Sequence, residues 1–113
     1  MATITRRELV DQAATKAGAL GAGQTLAAED LDVIDRMASA LFDQLAEDEI
    51  LSVSDEEEIP ASWSPYMASL LANLIGPDYG IAFTQEVKAV NEAILRKLVR
   101  AKGTFEPLAV DYF

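Results

Sequence analysis

Residues 31–45 read LDVIDRMASALFDQL, the clearest structural pattern in the sequence. Apolar side chains recur every three or four residues, which places them on one face of an α-helix. These positions are Leu31, Ile34, Ala38, Leu41 and Leu45, and Met37 and Phe42 widen the stripe. The pattern predicts an α-helix of about 20 residues, or about 30 Å. It should begin between Ala27 and Asp30, where acidic residues suit the positive end of a helix dipole.

Helices are also predicted on both sides of this segment. Before it, Thr5 and Glu8 have capping-box spacing, and apolar residues at helical spacing continue as far as Gly18. After it, an acidic loop leads to a third helix that starts among the prolines at positions 60 and 65. This helix is apolar nearly all the way round, so we expect it to be the central element. Gly76–Pro77 should end it, because proline cannot continue a helix.

A fourth helix is predicted from about Tyr79 to Ala101, with Lys102 and Gly103 ending it. Its predicted core-facing residues are Ile81, Phe83, Val87, Val90, Ile94, Leu98 and Ala101. The expected fold is therefore all-α, a bundle of four helices with a long second and a long fourth helix. Because the sharpest change in composition falls at Gly103, we predict a helical domain over residues 1–103 and an extended C-terminal arm over residues 104–113.

The predicted arm is rich in apolar side chains. It contains Phe105, Leu108, Val110, Tyr112 and Phe113, with one proline and two charged residues. The gain from burying these side chains nearly cancels the entropy cost of ordering the backbone. We therefore expect the arm to be disordered in a free monomer and to become ordered on a partner. The alternative is that it folds back over its own helices.

Charge is unevenly distributed along the chain, whose net charge is -10. Residues 29–58 contain twelve carboxylates and one arginine, whereas residues 88–102 contain five basic residues and one glutamate. Such asymmetry suits head-to-tail contacts between copies of one protein. We therefore predict that Arg96, Lys97 and Arg100 make contacts between subunits or with a larger partner. Alternatively, the acidic face lines a channel through which DNA slides.

Composition argues against catalysis. The sequence has no cysteine and no histidine, so it lacks thiolate chemistry, the commonest general base and the commonest zinc ligand. No apolar run approaches the ~18 residues that span a bilayer, and the first residues do not resemble a signal peptide. We expect a non-enzymatic protein with no cofactor, no metal and no membrane contact, folded in a cytoplasm.

Several local motifs favour structure over chemistry. Residues 18–25 have the glycine spacing of a phosphate-binding loop, but Gln24 replaces the required lysine and a helix precedes the loop. The acidic run Asp55–Glu58 lacks the alternating spacing of a calcium loop, so we interpret it as a solvated loop. Trp63 is expected to anchor the core or an interface. In the corner Pro77-Asp78-Tyr79, the proline restricts the backbone, the aspartate is the predicted N-cap of the fourth helix, and the tyrosine packs on the turn.

Four features in order carry a resemblance to a known family. They are the opening helix over residues 7–18, the segment Ala46–Ile50 at the end of the long helix, the corner Ile75–Gly80, and the aromatic pair Tyr112–Phe113. Together they resemble the head-to-tail connector, or adaptor, proteins of tailed bacteriophages and gene transfer agents. The type is the head-completion, packaged-DNA-stabilising tail accessory factor. The chain departs from the pattern at Glu49, where relatives often have glycine.

The resemblance implies a structural virion protein that forms a ring, usually dodecameric, beneath the portal. Such a ring joins head to tail, retains packaged DNA and binds a tail or stopper protein, with DNA only as channel contents. The implied location is the head–tail junction of the virion, after assembly in the host cytoplasm, and the implied role of the arm is portal binding. Two other functions stay open: a small acidic regulatory or DNA-mimicking interaction module and, less favoured, a glycan hydrolase.

Overall fold

The computed structural model describes residues 2–19 and 26–108. Its helices are α1 (Arg6–Lys16), α2 (Ala28–Glu47), α3 (Ser64–Ile75) and α4 (Gln85–Leu108), with a short 3₁₀-helix over Gly76–Tyr79. Two short strands, β1 (Thr3–Ile4) and β2 (Ile59–Pro60), pair antiparallel with Ile4 opposite Ile59. The prediction of an all-α bundle of four helices is confirmed.

The start of α1 is specified locally. The Thr5 side chain accepts a hydrogen bond from the Glu8 backbone N–H at 3.2 Å, and the Glu8 carboxylate accepts one from the Thr5 N–H at 2.9 Å. This is the predicted capping box. The apolar residues that follow, including Leu9, Val10 and Ala13, are fully buried. Gly18 follows the helix with a φ of 77°, in the left-handed region that favours glycine.

The central position predicted for the third helix is confirmed. Helix α3 packs against α1, α2 and α4. Its fully buried residues include Met67, Leu71 and Ile75, and they meet Ile34 and Leu45 of α2 in one hydrophobic core. Trp63, just before α3, is partly buried and packs against this core, as expected of an anchor.

Helix α4 starts later than predicted. The chain passes Gly80, whose φ is 84°, and remains irregular to Thr84 before α4 begins at Gln85. The Thr84 hydroxyl accepts a hydrogen bond from the Val87 N–H at 3.2 Å, which is the geometry of an N-cap. The predicted N-cap Asp78 lies instead inside the 3₁₀-helix. That assignment was wrong, because the left-handed residue at Gly80 interrupts the helical path.

The predicted core face of α4 was also wrong in its first half. Ile81, Phe83, Val87 and Val90 are exposed, whereas Leu95 is fully buried and Ile94 and Leu98 are half-buried. The burial of Ala101 lies outside what the structure describes. The later helix start explains the change for the first two of the exposed residues. Ile81 and Phe83 fall in the loop before α4, so they do not share the face that the helix presents to α3.

The end of α4 differs from the prediction as well. The helix continues through Gly103 to Leu108, so residues 104–108 are helical where the start of an extended arm was predicted. One glycine costs only about 1 kcal/mol in a helix, so it need not end one. Phe105 and Leu108 thus belong to the last turns of α4. The other arm residues, Val110, Tyr112 and Phe113, lie outside the described residues.

Candidate interaction surfaces

Arg6 connects the acidic segments of the protein to α1. Its guanidinium donates to the Asp35 carboxylate at 2.7 Å, to the Asp35 backbone carbonyl at 2.6 Å and to the Ser39 hydroxyl at 2.6 Å. It also pairs with Glu56 and lies 5.5 Å from the centre of the Phe42 ring. Burial alone would lower the pKa of Arg6, but the hydrogen bonds and charges of Asp35 and Glu56 raise it above its usual value.

The acidic loop is held at its base and exposed at its tip. Ile50 and Leu51 are buried in the core, and Ile59 is fully buried where the loop returns. Residues 55–58 between these anchors are exposed, as the prediction of a solvated loop requires. On α2, the exposed carboxylates include Asp32, Asp43 and Glu47. One side of the bundle therefore presents many carboxylates to solvent.

The corner Pro77-Asp78-Tyr79 follows α3 and contacts the first turn of α2. The Tyr79 hydroxyl donates to the Asp30 carboxylate at 3.3 Å. Burial, and then the nearby charge of Asp30, raise the pKa of Tyr79 above its ordinary value, so the phenol stays neutral. At the same corner, a Cβ on Gly76 would lie 2.8 Å from the Ile81 backbone oxygen. These contacts support the structural role predicted for the corner.

The predicted basic contacts lie on the second half of α4. Arg96, Lys97 and Arg100 are all exposed, and they follow the fully buried Leu95 by one to five residues. The acidic carboxylates are on α2, a different helix of the bundle. The uneven charge of the sequence is thus also a separation between two helices in the structure.

The sequence interpretation missed an exposed apolar surface at the start of α4. We define the α4 patch as Ile81, Phe83, Val87 and Val90, which are 47%, 38%, 37% and 52% exposed. Among residues 2–19 and 26–100, whose side chains the structure describes, only one other large apolar side chain is comparably exposed, Val33 of α2 at 43%. An apolar cluster of this kind marks an interaction surface more often than a scattered exposed residue does. In the sequence, Gly80 and Thr84 were the signals that pointed to this surface. A glycine in a left-handed turn ends one helical path, and a threonine N-cap begins the next.

An open groove lies beside the α4 patch. It has a volume of about 350 Å³ and is lined by the end of α1, by α3 and by the chain from Ile81 to Val87. Its lining residues are Lys16, Ala17, Ser69, Ala72, Asn73, Ile81, Ala82, Thr84 and Val87. The ammonium of Lys16 is the single charged group in this set. The groove can therefore accept an apolar segment that carries one negative charge.

A buried amide shapes this groove. Asn73 of α3 donates from Nδ2 to the Thr84 carbonyl at 2.9 Å and accepts from the Thr84 N–H at 3.0 Å. The amide thus satisfies both backbone groups of Thr84, much as a neighbouring strand would. This pair holds Thr84, the N-cap of α4, against α3.

The described residues include no group of side chains suited to a metal ion. No three carboxylates among them are grouped so that they could hold a metal ion. The helices within the described ranges include none long and apolar enough to cross a membrane. What these residues do present is a set of candidate interaction surfaces: the acidic side, the basic end of α4, the α4 patch and its groove.

No protein-family model, curated protein or solved structure matches this chain.

Proposed function

We propose that this protein is a structural component of a virion, where it forms a ring under the portal protein, joins head to tail and retains packaged DNA. The observation that carries the proposal is the separation of opposite charges on two exposed helices. Arg96 and Lys97 are exposed on α4, whereas Asp43 and Glu47 are exposed on α2. Identical copies can bring these unlike surfaces together head to tail, and a head-to-tail contact closes into a ring when its rotation allows.

The shape of the protein supports the same proposal. Its extents are 53 × 28 × 22 Å, and its radius of gyration of 15.2 Å exceeds the roughly 13 Å expected of a compact chain of this length. Helix α4 has 24 residues against 12 in α3, or about 36 Å against 18 Å. An elongated subunit with one long helix suits a ring around a channel, because one end can face the portal and the other the tail.

The ring would act in the virion at the head–tail junction, after assembly in the host cytoplasm. Its partners would be the portal protein above and a tail or stopper protein below, with DNA passing only as contents of the channel. In this role the protein needs neither a cofactor nor catalysis. It works by covering the portal opening and by offering a surface to the next component of the particle.

The test is binding to the portal protein encoded in the same genome, measured by sedimentation velocity. We expect the full chain to sediment with the portal, and the double variant Arg96→Glu, Lys97→Glu to lose at least ten-fold in affinity. The matched control is Arg7→Glu, a charge reversal at a half-exposed arginine of α1. Unchanged binding by the double variant would remove α4 from the contact. No binding by the unmodified chain would reject the connector and favour an acidic interaction module.

A further inference from the structure

The α4 patch is a cluster of apolar side chains exposed to solvent. Four of the five large apolar side chains that are most exposed among the described residues lie within ten positions, from Ile81 to Val90. They adjoin the groove of about 350 Å³, a volume within the usual range of binding pockets, which is about 300–1,000 Å³. Lys16 lies at the edge of this groove. None of the ion pairs among the described residues includes Lys16.

We propose that the groove binds residues 109–113 of a second copy of this chain. The segment reads AVDYF, so it consists of four apolar residues and one carboxylate, Asp111. Its composition complements that of the groove, which is mostly apolar and has Lys16 as its one charged lining residue. Aromatic side chains are common anchors of interfaces, and Tyr112 and Phe113 would provide two of them.

The length of α4 requires that the segment come from another copy. Val87 in the groove and Leu108 at the end of α4 are 21 residues apart on one helix, a distance of about 32 Å at 1.5 Å per residue. The five residues after Leu108 extend to at most about 18 Å. They cannot return to the groove of their own subunit, so the groove is available to the segment of a neighbour.

This contact has the consequence that each copy both donates a segment and accepts one. Such a contact is heterologous, and repeated by rotation it forms a closed ring. It rests on the proposed function in that it provides the joint between adjacent subunits of the connector. Because each joint of a closed ring is supported by all the others, weak individual contacts become stable together.

The test uses engineered disulfides, since the natural chain has no cysteine. Chains with Ala82→Cys, in the groove, are mixed with chains carrying Val110→Cys under mild oxidation, and the cross-linked heterodimer is measured by mass spectrometry. The control replaces the groove partner by Ala40→Cys, an exposed alanine of α2. We expect at least ten times more heterodimer from the 82–110 pair than from the 40–110 pair.

Charge reversal makes the test specific. Lys16→Glu in the groove chain is expected to reduce the 82–110 yield at least five-fold, and Asp111→Lys in the other chain to restore it. Thermal unfolding of each variant shows that the fold is intact. Equal yields from the 82–110 and 40–110 pairs would overturn the proposal. So would an 82–110 disulfide formed within one doubly substituted chain at high dilution, because it would contradict the reach of the segment.

A separate outcome distinguishes this inference from the proposed function. If deletion of residues 109–113 abolishes portal binding while the 82–110 yield stays at background, the segment belongs to the portal contact. The inference then fails and the connector stands. If the 82–110 pair cross-links and the chain does not bind the portal, the self-contact stands and the connector fails.

Discussion

Arg6 holds the acidic loop and α2 together on the acidic side of the protein. Its side chain is only 16% exposed, and it bonds to Asp35, Ser39 and Glu56 while lying over Phe42. These partners come from α2 and from the acidic loop. A single guanidinium of α1 therefore joins two segments that both carry negative charge.

We predict that Arg6→Ala lowers the free energy of unfolding by about 2–3 kcal/mol, because it removes several hydrogen bonds to charged or carbonyl groups and one cation–π contact. The half-exposed carboxylates can recover water, which keeps the loss from being larger. The control is Arg7→Ala, whose 51% exposed side chain makes one long ion pair with Asp11 at 3.4 Å. That change should cost about 0.5 kcal/mol or less. Urea denaturation measures both, and equal losses would contradict the role given to Arg6.

Glu49 occupies a position that favours glycine. Its φ is 56°, and it follows α2 where the Glu49 N–H bonds to the Ala46 carbonyl at 3.1 Å and the Ile50 N–H to the Leu45 carbonyl at 2.9 Å. This pattern is a Schellman motif, whose left-handed residue is usually glycine.

We predict that Glu49→Gly raises the free energy of unfolding by about 1 kcal/mol relative to Glu49→Ala, because only glycine adopts the left-handed conformation without strain. The alanine variant is the control, since it removes the same charge and keeps the Cβ atom. Thermal unfolding measures the difference. An alanine variant as stable as the glycine variant would show that charge, not backbone strain, governs this turn.

Among the helices, α4 shows where sequence patterns stop being sufficient. The bounds of α1, α2 and α3 follow from local signals: a capping box at Thr5, a long apolar stripe, and prolines that start and end α3. The start of α4 depends on Asn73, a residue of another helix, which bonds to both backbone groups of Thr84. No periodicity within residues 79–101 contains that information. The predicted face was therefore wrong, and the α4 patch was assigned to the core.

We predict that Asn73→Ala lowers the free energy of unfolding by about 1–2 kcal/mol, because it removes both hydrogen bonds to the Thr84 backbone at a partly buried site. The control is Asn91→Ala on α4. The Asn91 amide makes a single exposed bond to the Val87 carbonyl at 2.8 Å, so its loss should change stability by about 0.5 kcal/mol or less. Hydrogen exchange of the backbone amides of residues 84–88 reports locally on the loss of the Asn73–Thr84 hydrogen bonds. Unchanged protection in Asn73→Ala would mean that α4 begins independently of α3.

At the scale of the whole molecule, the acidic, basic and apolar surfaces are separated from one another. The acidic side lies on α2 and on the loop that follows it. The basic residues lie in the C-terminal half of α4, and the α4 patch lies just before α4 and in its N-terminal half. The order of charged residues along the sequence predicted the charge separation, because the acidic and basic residues occupy separate stretches of the chain. It could not predict the patch or the groove, since both depend on how α4 meets α3. Unlike surfaces on one elongated subunit favour repeated head-to-tail contact.

The central claim is that copies of this protein form a ring on the portal, and electron microscopy of the mixed, purified proteins tests it most directly. We predict a single closed ring of this protein, coaxial with the portal channel and in contact with one portal face, with the same number of copies in every particle. Portal particles that carry no added density, or that carry scattered single copies, would contradict the account.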